Sequence, residues 1–302
     1  MLISLGVVSS ISVKSSIKRS LNHHLMLAGI VSRNIDYMLE TNLTRLFDLS
    51  SSGKINLKDR DWGPEDKALK AAYEYSIFTD KVFILDSHGN VLRSYPQKGG
   101  ENTNMLSNPY VSKALTEKGP VISDVYTLMP TKRQVVYAFV PLKDSEGETI
   151  GLAGGEINPT NYLFSRIIET VSPGSDMCLE LIDSHGIILS SNKPERILTY
   201  CDHNEYIGSL IMQRKSMVGT CHRCHMQETD SSRTEDMLAF SPLSIAPWGI
   251  AIREPQKLVF SPATSLRNVF VILGVIYIVT ALVLAIGLSR SIVKPVQSLI
   301  SA

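Results

Sequence analysis

The sequence predicts an α+β protein in which one long N-terminal helix carries two tandem modules with antiparallel sheets, followed by a transmembrane helix. Three observations predict it: a stretch poor in Gly and Pro after Lys14, a repeated pair of motifs, and an uncharged run from Val269 to Leu288. With 302 residues, 44% of them hydrophobic and 20% charged, the chain is long enough for about two domains of ordinary size. Its net charge of +1, without charge blocks or low-complexity tracts, argues against nucleic acid as a partner.

Between Lys14 and Ser50, Leu21, Leu25, Ala28, Val31, Ile35, Met38, Leu39 and Leu46 recur near helical spacing, so one helix face can pack against the downstream modules. Gly53 and Trp62-Gly63-Pro64 punctuate its end, and residues 14–60 read as a signalling helix. Ahead of it, MLISLGVVSSISV (1–13) is apolar, too short to span a bilayer, and lacks the basic lead of a signal peptide. It reads as the remnant of a first transmembrane helix. Residues 269–288, VFVILGVIYIVTALVLAIGL, have apolar side chains on every face and match the length that a helix needs to cross a bilayer core. Arg290 and Lys294 come next, which by the positive-inside bias puts the C-terminus in the cytoplasm and the preceding region outside the inner membrane, in the periplasm.

The repeat organises the middle of the chain. Ile84-Leu85-Asp86-Ser87-His88-Gly89 returns as Leu181-Ile182-Asp183-Ser184-His185-Gly186, and Ala138-Phe139-Val140-Pro141-Leu142 returns as Ala239-Phe240-Ser241-Pro242-Leu243. The same order at nearly the same separation implies two copies of one module, residues 61–170 and 171–267. Each copy opens as strand, tight turn, strand: the Asp side chain caps the turn and Gly takes its positive φ. Further strands are expected at Val121–Thr127, Arg133–Val140, Thr149–Ile157, Asp236–Ser241 and Trp248–Arg253, with short helices at Pro109–Thr116 and Thr160–Thr170. His88 and His185 are then solvent-facing turn residues, while His23 and His24 are expected to face solvent or a dimer partner.

A membrane-emergent helix, two strand-Asp-x-x-Gly-strand modules and the segment AFSPLSIAPWGIAIREP before a membrane helix resemble the double Cache sensor region of bacterial transmembrane receptors, of histidine-kinase or chemoreceptor type. The resemblance covers about Lys14 to Arg267. It implies two PAS-like modules, 61–170 distal and 171–267 proximal to the membrane, that sense a small molecule or a redox state. Tyr126, Arg133 and Tyr137 are the candidate lining of a distal ligand pocket. Ser289 to Leu299 is similar to the opening of a HAMP linker, placed at residues 289–302, with Pro295 after the membrane exit. Ile292, Val296 and Leu299 fall there at coiled-coil spacing, which needs a partner helix and so implies a homodimer. No phosphate-binding loop or nucleophile–base–carboxylate set appears, so the chain reads as non-enzymatic, with any kinase or cyclase output beyond residue 302 on the cytoplasmic side.

Chemistry is carried by Cys221-His222-Arg223-Cys224-His225. Two thiols at this spacing can form thioethers to one porphyrin, while the next imidazole reaches the iron, so Cys221 and Cys224 are candidate haem c attachments and His225 the axial ligand. Met212, Met217 and His203 are candidate sixth ligands. Aligning the two modules on their Asp-Ser-His-Gly turns is expected to set the pentad opposite Gly119 to Ser123 and its neighbours, where the first module enters its third strand. A zinc reading instead joins Cys201 and His203 to Cys221 and Cys224, and a disulfide reading leaves His225 idle. Cys178, in an apolar strand, is expected to be a buried, inert thiol. The favoured function is a haem-containing sensor; the alternatives are a membrane-tethered electron-transfer cytochrome and a zinc-stabilised module binding a small metabolite.

Overall fold

One helix, α1 (Leu2–Ser51), runs without a proline through the apolar N-terminal segment and the expected signalling helix as far as Ser51. The computed structural model describes residues 2–51, 55, 57, 61–97, 103–117, 119–144, 146–165, 167–168, 177–222 and 235–288. Residues 24–255 form one compact unit and the chain on either side of them another. Within the first unit Ala28, Val31, Ile35, Leu39, Leu46 and Leu49 are buried on one face of α1, the face anticipated from their spacing. Leu21, Leu25 and Met38 stand at its half-buried margin.

Polar side chains fix α1 lengthwise. His24 is buried and its Nε2 donates to Glu254 Oε2 at 2.6 Å. This corrects the expectation that His24 faces solvent or a dimer partner: it shares a face with Ala28 and Val31, which spacing by four and seven residues requires. Ser32 Oγ donates to Pro242 O at 2.7 Å, and the Ser244 N–H donates to the Asp36 carboxylate at 2.8 Å. Asn42 lies in the apolar face, yet both ends of its amide are used: Nδ2 donates to Met38 O, and Oδ1 accepts the Ile77 N–H.

After α1 come α2 (Gly63–Tyr73), β1 (Lys81–Asp86), β2 (Val91–Tyr95), α3 (Pro109–Glu117), β3 (Val121–Ile122), β4 (Tyr126–Leu128), β5 (Arg133–Lys143), β6 (Thr149–Ile157) and α4 (Tyr162–Ser165). The second half comprises β7 (Cys178–Asp183), β8 (Ile188–Ser191), a 3-10 turn (Pro194–Arg196), α5 (Asn204–Met212), β9 (Met217–His222), β10 (Glu235–Pro242), β11 (Trp248–Pro255), α6 (Gln256–Val259) and α7 (Ser261–Leu288). All pairings are antiparallel, in two sheets ordered β2-β1-β6-β5-β3, with β4 also on β5, and β8-β7-β11-β10-β9. Counted from its own first strand, the first sheet reads 2-1-6-5-3 and the second 2-1-5-4-3, orders that coincide once β3 and β4 together are set against the single strand β9.

The two turns match in atomic detail. Asp86 Oδ1 accepts the N–H groups of His88 and Asn90 at 2.9 and 2.8 Å, and Asp183 Oδ1 accepts those of His185 and Ile187 at 3.0 and 2.8 Å. Gly89 and Gly186 close them at φ +78° and +81°, where a Cβ would be strained. One face of the first sheet carries Phe83, Leu85, Val135, Tyr137, Phe139 and Leu152 against Val111 and Ala114 of α3. The second carries Ile182, Leu238, Phe240 and Ala251 against Ile207, Leu210 and Ile211 of α5.

Three departures from expectation have physical causes. Gly63-Pro64 starts α2 instead of only ending α1, because proline suits the first helical turn, where its missing N–H has no partner to lose. The strand expected over Val121–Thr127 is broken at residues 123–125, whose polar groups bond elsewhere. The helix expected over Thr160–Thr170 is described only as Tyr162–Ser165. In the other unit, α7 contains the apolar run: its mean hydropathy reaches 3.0, none of that window is buried, and it is long enough to cross a membrane.

Candidate functional site

The ladder brings the three candidate pocket residues onto one face of the first sheet. Tyr126 pairs with Val135 across β4 and β5, Tyr137 lies two residues on, and Arg133 opens β5. The Tyr126 and Tyr137 rings are 6.1 Å apart, and Phe83 meets Tyr137 edge-on at 6.2 Å. Arg133, 45% exposed, contacts two carboxylates: Nη1 lies 2.6 Å from Asp80 Oδ2, and Nη2 bonds Glu156 Oε1. Glu156 is wholly inaccessible, with Lys81 Nζ 3.4 Å from its Oε2. Burial, and then the Glu156 charge, hold the Tyr137 hydroxyl far above the ordinary tyrosine value. Two cations and two carboxylates thus stand beside an aromatic wall, with Arg133 open to solvent. Such a set can take a small ligand bearing both signs of charge.

Sequence reasoning missed Asp80, Lys81 and Glu156. The available signal was a single carboxylate in GLAGGEI, an otherwise apolar run; a charge in a fully buried strand needs partners.

The second sheet carries a polar cluster at corresponding rungs. Setting Ala138-Phe139 against Ala239-Phe240, Glu156 corresponds to Arg253 and Lys81 to Cys178. Arg253 contacts Glu180, at 3.3 Å, and Asp202; Arg196 Nε reaches Glu180 at 2.5 Å. The buried charge has changed sign between the sheets, and its counter-ions with it. Burial lifts the thiols of Cys178 and Cys201 to about 11. Cys201, only 4% exposed, belongs to the apolar cluster.

Cys221 and His222 end β9, which pairs only with β10 among the described strands and so lies at a sheet edge. The Cys221 side chain, Arg223, Cys224 and His225 lie outside the described residues, as does the HAMP-like stretch 289–302. Cys221 is in register with Asp236, which is buried. By the same counting its counterpart in the first sheet is Tyr126, beyond the Gly119 to Ser123 expected from the sequence: the two turns lie 97 positions apart, which already carries Cys221 to Asp124. Of the candidate sixth ligands, Met217 lies four residues before Cys221, half-buried against the core. His203 stands at the N-terminus of α5, next to Asp202. Met212, 80% exposed, borders a groove of about 690 Å³ together with His185, Asn204 and Glu205.

Comparisons place this geometry among known proteins. The profile of the Cache domain (dCache_1) matches residues 9–263. Among solved structures, the ligand-binding domain of the Campylobacter jejuni chemoreceptor Tlp3, in complex with L-valine, superposes with a TM-score of 0.60 at 14% identity, covering 82% of this chain and 98% of that one. That of the Pseudomonas fluorescens chemoreceptor CtaA, in complex with L-isoleucine, gives 0.57 at 15% identity over 81% of this chain and 95% of that one. An extracellular ligand binding receptor from Desulfohalobium retbaense gives 0.57 at 12% identity over 76% of this chain, which spans only 39% of that receptor chain. At these identities the likeness concerns the fold. None of the curated proteins matches.

Proposed function

We propose, for a chain that belongs to the Cache domain family, the role of ligand-binding input region of a membrane receptor, with the Arg133 face of the first sheet as its ligand site. The observation that carries this reading is the exposed Arg133 held between Asp80 and Glu156 beside Tyr126 and Tyr137. An α-amino acid is the ligand class that fits: its carboxylate suits Arg133 and Lys81, and its ammonium suits Asp80, with the buried charge of Glu156 behind. The amino acids in the Tlp3 and CtaA complexes favour the same class. The shared strand order of the two sheets supports a tandem pair of modules, and α7 supplies the membrane anchor through which a dimer would signal to a HAMP linker. Titrating the full chain in detergent with the common L-amino acids should raise its melting temperature for at least one of them, and Arg133→Ala should abolish that shift. If no amino acid stabilises the native chain, the ligand site is wrongly assigned.

We also propose a c-type haem on Cys221 and Cys224, with His225 as axial ligand. The motif carries this, and its first cysteine ends β9, an edge strand among those described, whereas the second core is filled by Ile182, Leu238, Phe240 and their neighbours. Such a group would supply a redox-active iron. The zinc reading needs Cys201, which is buried within the apolar cluster of the second sheet. Co-expression with haem-maturation proteins should give a chromophore that stays attached after denaturation and is lost in Cys221→Ala and Cys224→Ala. One zinc per chain without a chromophore would decide for zinc, and electron transfer without any signalling output for the cytochrome.

A further inference from the structure

We propose that Ser123-Asp124-Val125 is a coupling clasp, through which the Tyr126–Tyr137 face of the first sheet and the β7–β8 turn of the second move together. These are the residues at which the expected strand breaks. The first sheet holds them by three hydrogen bonds: Ser123 N–H to Tyr137 O at 2.8 Å, Tyr137 N–H to Ser123 Oγ at 2.8 Å, and Tyr110 Oη–H to Asp124 Oδ2 at 3.0 Å. The second sheet holds them by three more. Val125 N–H donates to Asp183 Oδ2 at 3.0 Å, Ser184 N–H to Asp124 Oδ1 at 2.9 Å, and Trp248 Nε1–H to Ser123 O at 3.0 Å.

The exchange is reciprocal: each aspartate accepts a backbone N–H from the other's sheet. Ser123, Asp124, Asp183 and Trp248 are all buried, so water offers no ready replacement for a broken bond. Asp183 also caps its own turn through His185 and Ile187, so moving it moves the turn. Tyr126 comes directly after Val125, and Tyr137 bonds Ser123 twice. Displacement of either ring therefore carries the clasp with it or breaks bonds that have no substitute. Packed interfaces of this kind switch between discrete arrangements and do not deform smoothly.

As a signal path the clasp rests on the ligand site proposed above, yet its mechanical content can be tested without ligand, so the two fail separately. In the full chain in detergent, amide hydrogen exchange is read at Val125, Tyr137, Ser184 and Ile187. Trp248→Phe removes the indole donor from the second sheet and should speed exchange at Tyr137 by about tenfold, the effect of one hydrogen bond. Tyr126→Ala, a half-buried site in the first sheet, should speed exchange at Ser184 and Ile187. Leu152→Val, elsewhere in the first core, should leave the second-sheet amides unchanged. Should Trp248→Phe fail to fold, Asp124→Asn keeps the shape and gives the same readout. Exchange changes confined to the substituted sheet in every variant would overturn the proposal.

Discussion

Arg253→Met in the full chain is expected to lower the unfolding free energy by about 3 kcal/mol, the lower end of the cost of breaking a buried pair because Arg196 still holds Glu180, read from the denaturation midpoint at constant slope. Arg253 is the only cation within ion-pairing distance of both Glu180 and Asp202 besides Arg196, among the described residues. Glu180 is fully inaccessible, so water cannot restore what the guanidinium supplies. Lys70→Met gives the contrast: its pair with Glu74, at 3.9 Å, is solvent-exposed on α2, and such pairs contribute at most about 1 kcal/mol. The pH dependence originates in Asp202. Burial alone would raise its pKa, but Arg253 and Arg196 outweigh burial and hold it below the ordinary value. A carboxylate depressed by folding contributes stability above its unfolded pKa and loses it as pH falls through the folded one. In Arg253→Met that depression relaxes, so Asp202 contributes less stability at neutral pH, and the fall of stability with acid should be shallower than in the native chain.

The turns, the face of α1 and most strands were legible because each rests on local chemistry. Asp86 and Asp183 cap their turns with their own side chains, and Gly89 and Gly186 supply a backbone angle that few other residues tolerate. The break at Ser123-Asp124-Val125 was not legible. Val121 to Thr127 alternates well enough to read as one strand, and the partners that pull its centre away, Asp183 and Trp248, lie more than fifty residues along the chain. His24 was misread for the same reason, since Glu254 is 230 positions distant. Helix α5 and strand β9 were missed because Asn204 to His222 shares no sequence motif with its structural counterparts, α3 and the β3–β4 segment.

The ligand site was half legible. Tyr126, Arg133 and Tyr137 were chosen from their strand region, and the register does bring them to one face. Their electrostatic partners were hidden because a lone carboxylate in β6 gives no sign of which cations reach it. The correspondence of Glu156 with Arg253 likewise needed the ladder: matching Gly151-Leu152-Ala153 to Gly249-Ile250-Ala251 by sequence would set Glu156 against Glu254, and only strand pairing sets it against Arg253.

That correspondence frames Glu156→Gln, which is expected to cost about 3 kcal/mol of stability. Glutamine keeps the shape of the buried side chain, so the loss measures charge. Arg133 retains Asp80, but Lys81, about a quarter exposed, loses its only described carboxylate. The Tyr137 hydroxyl should titrate lower, although burial, the larger cause of its elevation, remains. The substitution also makes the Arg133 face more positive by one charge, with a consequence for recognition. If Asp80 receives the ammonium of a zwitterion in the field of the buried Glu156, Glu156→Gln should weaken stabilisation by amino acids while dicarboxylic acids stabilise the variant more than the native chain. Loss of stability with no change in that ranking would make Glu156 a purely structural counter-ion, as Arg253 is in the second sheet. The two sheets would then differ in the sign of a buried charge but not in its purpose.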